Sequence, residues 1–445
     1  MHDSRHKKYL GLPSLIGKSK SQVFAKIKEK VSKKLAGWKE KHLSVGGREV
    51  FIKAIAQAVP TYTMSYFLLP KTMCDDLERM MRNFWWGQRN QESKIAWVSW
   101  KKMCKSKRFG GMGFRNLHAF NLALLAKQGW RILTNPNSLV ARVYKAKYFP
   151  YDDILSAKIG SNPSYAWRSI HNSLVILKEG TRWRVGNGKC IHIWDDRWLP
   201  TPTTYKVISP PLEFGNFPMV SSLIDEDTKW WKYDLVRPIF LPFEVDSILK
   251  IPISYNLPND QLIWLGNKRD SFSVKSAYYI AVRVVDADSN GESTMEHSQP
   301  PFWKKIWRLN VPLKVRIFAW HVCKNGLPTM LALWCRGLNT FGFFPLCDKE
   351  MESIQHALLF CPHAKHTWAA WLDCPLNLSS TGDNIMNIAT KFIDLGKLHD
   401  LDLFFMVAWS IWGNRNQAFH NNVAIPPSQV WDSARRALLD YNAAR

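Results

Sequence analysis

The chain has no apolar run approaching the roughly 18 residues that would cross a bilayer; Leu403–Trp412 reaches about half of that. Its 8 cysteines are too sparse over 445 residues for a disulfide framework. The first residues, Met1-His-Asp-Ser-Arg-His-Lys-Lys8, are too charged for a secretory leader. These absences exclude membrane-spanning and small disulfide-stapled classes. They lead us to expect a soluble, non-secreted chain of a reducing compartment, nuclear or cytoplasmic, with no membrane partner. Disorder is excluded by what is abundant: 46% hydrophobic residues and 22 tryptophans, enough for several cores.

Acid is the other scarcity. Residues 1–150 hold 30 Lys and Arg against 8 Asp and Glu, and no carboxylate occurs between Ser93 and Tyr151. The remaining residues carry 31 against 28, so nearly all of the net charge of +25 sits in the first third. Such an excess favours a polyanionic partner, nucleic acid before membrane. The plainer alternative is a solvated basic face without a specific ligand.

Within this third, Phe24, Ile27, Val31, Leu35 and Trp38 recur at helical spacing, with Lys26, Lys28, Lys30, Lys33 and Lys34 mostly off that stripe. The pattern predicts an amphipathic helix whose lysine side suits a phosphate backbone. A turn at Leu43–Arg48 leads to a helix over Glu49–Val59 that stops at Pro60. Thr72 and Asp75 resemble a capping box for a third helix with Leu77, Met80, Met81 and Phe84 inward. Lys101, Lys102, Lys105, Lys107, Arg108 and Arg115 then surround Gly110-Gly-Met-Gly113, which lacks the Lys-Ser/Thr ending of a phosphate-binding P-loop. A flexible basic loop before a helix over Leu117–Leu133 is the better reading. Trp85, Trp86, Trp97 and Trp100 could stack on bases, though core packing comes first. The candidate nucleic-acid-binding residues are Lys26, Lys30, Lys33, Lys34, Arg48, Lys53, Lys101, Lys102, Lys105, Lys107, Arg108 and Arg115.

Further on, Thr181–Val185 and Cys190–Trp194 flank Gly186-Asn-Gly188 and read as a hairpin. Asp260–Trp264 and Phe272–Tyr278 read as a second hairpin running into a helix. Asp195-Asp196 invites comparison with metal-binding polymerase aspartates, but no third acid accompanies it, so no catalytic residue is assigned. Near the end, Cys347, His356 and Cys361 stand at C-x8-H-x4-C spacing, with Ser353 placed to cap a helix carrying His356. Two thiols and an imidazole, from a turn and a helix, are zinc-type ligands. A structural site wants four, and the position three before Cys347 is Phe344.

One ordered series of motifs is more specific than any of these. Tyr9-Leu-Gly-Leu-Pro13, Trp38-Lys39 with Leu43-Ser44 and Gly47-Arg48, Pro60-x-Tyr62-x-Met64, Phe84-Trp-Trp-Gly87, Trp97-x-x-Trp100, Gly110-Gly-Met-Gly-Phe114 and Asn121-x-Ala-Leu-Leu-Ala-Lys127 follow one another. They resemble the region after the polymerase core in LINE-type, non-LTR retrotransposon reverse transcriptases. Trp194–Pro200, Leu309-x-Val-Pro312, Leu327-Pro-Thr329, Glu352-Ser-x-x-His356 and Trp409-x-Ile-Trp412-x-x-Arg415-Asn416 extend the resemblance. It implies a thumb-like region gripping template and primer, then a zinc-binding domain. Phe344 replaces that domain's first cysteine, and Cys335, His363 and His366 are off the family position. Zn2+ is therefore the candidate cofactor, with an incomplete site and low occupancy expected.

The expected fold is α+β, mainly α: a basic thumb-like bundle (1–150), a tryptophan-rich helix and hairpin region (151–255), a helical zinc-knuckle-type module (256–375) and a helical tail (376–445). The expected function is binding of RNA or RNA–DNA hybrid by a retroelement fragment without the polymerase core or ribonuclease H domain, non-catalytic by itself. The alternatives are part of an active RNA-directed DNA polymerase and ribonuclease H, or a decaying gene product with no selected activity.

Overall fold

A computed structural model describes residues 8–9, 12–13, 16–17, 19–39, 43–87, 94–201, 204–211, 218–288, 300–338, 346–347, 350–378 and 383–444. The described chain is mostly helical, with short antiparallel strand pairs. It divides into two compact units, each discontinuous in sequence. One holds Met1–Val23, Pro60–Lys71 and Leu117–Ser293; the other holds Phe24–Val59, Thr72–Asn116 and Thr294–Arg445.

The first unit has two cores. Helices Leu117–Thr134, Tyr165–Gly180 and Val274–Asp288 pack together around Trp167, Ile170, Leu174 and Trp264. Asn121 is fully buried there: its Oδ1 accepts the Leu69 N–H at 2.7 Å, and its Nδ2 donates to the Met64 and Phe67 carbonyls at 2.8 and 3.0 Å. The second core gathers Ile191, Ile193, Trp198, Val220, Trp231 and Ile248.

The strands correct both expected hairpins. Thr181–Arg184 pairs antiparallel with Gln261–Trp264, and Cys190–Trp194 forms no strand. The cause is Asp260. Its carboxylate accepts the N–H groups of Gly186, Gly188 and Cys190 at 2.7, 2.8 and 2.9 Å. The Gly-Asn-Gly turn thus closes on an acid beside the distant strand instead of folding the chain back. A local hairpin does form between Ile224–Asp225 and Trp230–Trp231.

In the second unit, the Lys20–Lys39 helix buries Phe24, Val31 and Leu35 as its periodicity predicts. Ser44 caps Val45–Phe51, accepting the Gly47 N–H at 3.1 Å. One π turn, Ile52–Ala56, ends this helix earlier than expected; Pro60 and the short Thr61–Met64 helix after it belong to the first unit. The Lys71–Trp85 helix begins before Thr72, so Thr72 lies inside it. Trp85 and Trp100 pack on Phe114, which settles these two tryptophans as core. Helices Leu313–Cys323, Ile385–Asp394 and Pro427–Ala443 pack against the long Leu398–Asn421 helix.

Candidate zinc site and nucleic-acid surface

The three candidate ligands singled out in the sequence converge. One ligand atom from each of Cys347, His356 and Cys361 lies within 4.8 Å of the others, and the Cys347 Sγ stands 3.3 Å from His356 Nε2. Local sequence explains the approach. The Ser353 hydroxyl accepts the His356 N–H at 3.0 Å, and a π turn over His356–Phe360 ends where the Cys361 N–H reaches the His356 carbonyl at 2.9 Å. Pro362 then opens the next helix, Pro362–Ala369.

Both imidazole nitrogens have a polar neighbour. Its Nε2 faces the thiols, and its Nδ1 lies 2.8 Å from the Glu350 carboxylate. The approach is a charge contact outside hydrogen-bond alignment, from an exposed carboxylate beside the ring. Burial, helped by the neighbouring Cys347 thiol, pushes the Cys361 thiol up to about 11 against the N–H groups of His363 and Ala364. Two sulfurs and one imidazole nitrogen at this spacing fit zinc, which prefers such donors. When bound, the metal would cross-link the turn at Cys347 to the π turn and the helix after it.

No fourth His, Cys, Asp or Glu joins this cluster among the described residues. Phe344 lies outside them. His363 is engaged elsewhere: its Nε2 is 2.8 Å from Asn414 Nδ2, and Asn414 in turn bonds the backbone of Ile425. Cys335 is exposed beyond the Met330–Trp334 helix, and it and His366 are absent from the cluster.

Sequence reasoning named Glu352 and Arg415 as motif positions without a physical role; the structure supplies it. Both are buried, and the Arg415 Nε and Nη2 reach the two Glu352 carboxylate oxygens at 2.5 Å each. Glu352 also accepts the Met330 N–H at 2.8 Å, while the guanidinium lies over Trp412 and Phe419. The pair ties the ligand-bearing segment to the Leu398–Asn421 helix. Neither residue stands out locally in the sequence: Lys349 and Glu350 precede Glu352, and Asn414 and Asn416 flank Arg415.

The basic residues fall into two groups. Lys26, Lys30, Lys33 and Lys34 lie exposed on the Lys20–Lys39 helix, Lys33 paired to Glu29 one turn back. Lys101 and Lys102 are exposed on the Trp100–Cys104 helix, Lys105 and Arg115 are half-buried, and Arg108 is exposed. Three others serve the fold. Arg48 donates to the Trp85 carbonyl at 3.0 Å. Lys53 and Lys107 flank buried Glu49 at 2.6 and 2.7 Å, and Lys53 also donates to the Met112 carbonyl. Burial works to raise the Glu49 carboxyl, but bonds from Lys107 and Lys53 outweigh it and hold it below the ordinary value. Asp196 of the paired aspartates accepts the His192 N–H at 2.7 Å, closing a turn. Among the described residues no helix is long and apolar enough to cross a membrane.

Comparison with known proteins places this geometry. Residues 272–368, which contain all three candidate ligands, match the family described as zinc-binding in reverse transcriptase. A candidate ribonuclease H protein of Arabidopsis thaliana is 28% identical over 368 residues, covering 80% of this chain and 57% of that protein. The chain therefore spans little more than half of that relative's length. An uncharacterised mitochondrial protein of the same plant is 43% identical over 156 residues, covering 35% of this chain and 99% of the relative. The chain thus belongs to one family with that plant mitochondrial protein, and it carries a zinc-binding domain of the reverse-transcriptase type at residues 272–368.

Proposed function

We propose that this chain is a nucleic-acid-binding segment of a LINE-type, non-LTR retroelement reverse transcriptase, corresponding to the part after the polymerase core. It holds RNA or an RNA–DNA hybrid mainly through phosphates and is non-catalytic by itself. The observation that carries this reading is the convergence of Cys347, His356 and Cys361 inside the segment matching reverse-transcriptase zinc-binding domains. Charge supplies the ligand class: the exposed Lys26, Lys30 and Lys34 share one side of a helix in a chain of net charge +25. The four consecutive stretches ending at 150, 255, 375 and 445 are, in this proposal, its modules, and zinc serves it as a structural ion.

The test is fluorescence anisotropy with a labelled RNA–DNA hybrid across a salt series. Affinity is expected to fall steeply with salt, and Lys26→Gln/Lys30→Gln/Lys34→Gln to flatten the slope by about one per lost phosphate contact. Salt-independent binding, or none at low salt, overturns the reading. Incubation with Mg2+, a primed RNA template and a labelled hybrid tests the non-catalytic part; extension or cleavage would refute it.

A further inference from the structure

We propose that the Lys107–Phe109 turn and the Pro300–Ile306 helix form a cleft that binds one sugar–phosphate strand of a nucleic acid. This rests on the nucleic-acid reading above and joins to Lys107 and Arg108 two cations outside the candidates read from the sequence, Lys304 and Arg308. The glycine turn after Arg108 is a packing device. Gly110 has a left-handed φ of 74°, and a Cβ there would stand 2.5 Å from the buried Trp303 ring. A Cβ on Gly111 would meet the Lys105 carbonyl at 1.8 Å. Trp320 Nε1 fixes the turn by donating to the Gly110 carbonyl at 2.9 Å. Only glycine lets the basic turn seat this closely on the helix, and seating it sets Lys107 and Arg108 beside Lys304 and Arg308.

These four cations, with Pro301 and Trp307, line an open cavity of about 770 Å³ that no carboxylate among the described residues lines. An adjoining cavity of about 530 Å³ shares Pro301, Lys304 and Arg308 and adds Lys305. The one carboxylate among its described lining residues, Asp402, is buried and accepts the Asn310 N–H at 2.8 Å. Lys304, Lys305 and Arg308 are exposed and make no ion pair with a described residue. Lys107 is held at 2.7 Å by Glu49 and at 4.4 Å over the Trp307 ring. Because Lys53 shares Glu49, that group keeps a net positive charge.

Unneutralised cations gathered around one cleft repel each other, and a row of phosphates relieves that repulsion. Lysine supplies point charges and arginine paired donors to phosphate oxygens. One face of Trp307 is taken by Lys107, and the ring also packs on Trp320. The tryptophan thus aims the lysine, and the contact is to the backbone rather than to bases.

The experiment uses the full chain and a fluorescein-labelled single-stranded RNA in a NaCl series. Lys304→Gln/Arg308→Gln is expected to weaken binding at least about tenfold near 0.1 M salt. It should also flatten the slope by about 0.7 per lost contact. Arg435→Gln/Arg436→Gln, a charge-matched pair outside the cleft lining, is expected to bind as wild type does. If the cleft variant binds with wild-type affinity and slope, the cleft is overturned while the proposed function stands. Absence of wild-type binding at low salt overturns both. Displacement of the RNA by polyglutamate at equal charge concentration overturns the assignment to a sugar–phosphate strand. Gly110→Val should reproduce the binding defect, and the exposed double variant keeps the test valid if that protein misfolds.

Discussion

At the scale of single residues, the zinc cluster and the ion pair beside it make separable predictions. Added Zn2+ is expected to raise the thermal midpoint and a chelator to reverse it, because a metal held only by the folded chain stabilises it. His356→Ala should abolish the rise, and Glu350→Gln, which removes the carboxylate charge beside the imidazole Nδ1, should weaken zinc by up to about 10-fold in competition with a chromophoric chelator. Glu352→Gln, by contrast, leaves the buried Arg415 charge without its carboxylate. That should cost about 3–5 kcal/mol in urea unfolding, and a double replacement by leucines should cost less than the single change. His321 adds a pH dependence. Burial between Trp86 and Trp320 lowers its pKa from 6.5 to about 4. The unfolded chain then takes up a proton that the folded chain refuses. Stability is therefore full above about pH 6.5 and falls as pH drops toward 4, by at most roughly 3 kcal/mol since the residue keeps a partly exposed edge. His321→Phe should flatten that acid limb in pH-dependent unfolding.

At the scale of elements, the sequence was most informative where burial and periodicity are local. Phe24, Val31 and Leu35 announced their helix, and the helix expected over Leu117–Leu133 forms over Leu117–Thr134. The cluster of Cys347, His356 and Cys361 was legible for the same reason, since its ligands lie within 15 residues of one another. Pairing across the chain was not. Thr181–Arg184 finds its partner some 80 residues later, and the Asp260 carboxylate that closes the Gly186–Gly188 turn has no local signature. Nor did charge counting reveal that Lys53 and Lys107 are bound to Glu49. Asn121 is similar: a motif position whose role is to satisfy three backbone groups in the segment after the Thr61–Met64 helix. Asn121→Ala leaves these groups buried without partners and should destabilise the chain by more than about 2 kcal/mol, measured by denaturant unfolding.

At the scale of the whole molecule, a net charge of +25 means that the folded chain works against its own repulsion. Without nucleic acid, its thermal midpoint should rise between about 0.05 and 0.5 M NaCl as the Debye length shortens. A midpoint independent of salt would show that the cations are already neutralised within the fold. Salt should therefore stabilise the free protein while weakening its complex with nucleic acid, and the opposed trends can be measured on one preparation.

The interleaving of the two units bears on how this chain tolerates being cut. Arg336 donates to the Ala96 carbonyl, and Trp320 to that of Gly110, so early and late segments complete one another's backbone bonds. Separating the gene product between residues 288 and 300 divides the second unit into two pieces, neither of which has a whole core. Expressed apart, residues 1–288 and 300–445 should be insoluble; expressed together, they should reassociate and copurify through an affinity tag on one piece. An interrupted reading frame would thus lose the protein unless both of its fragments were made in the same cell.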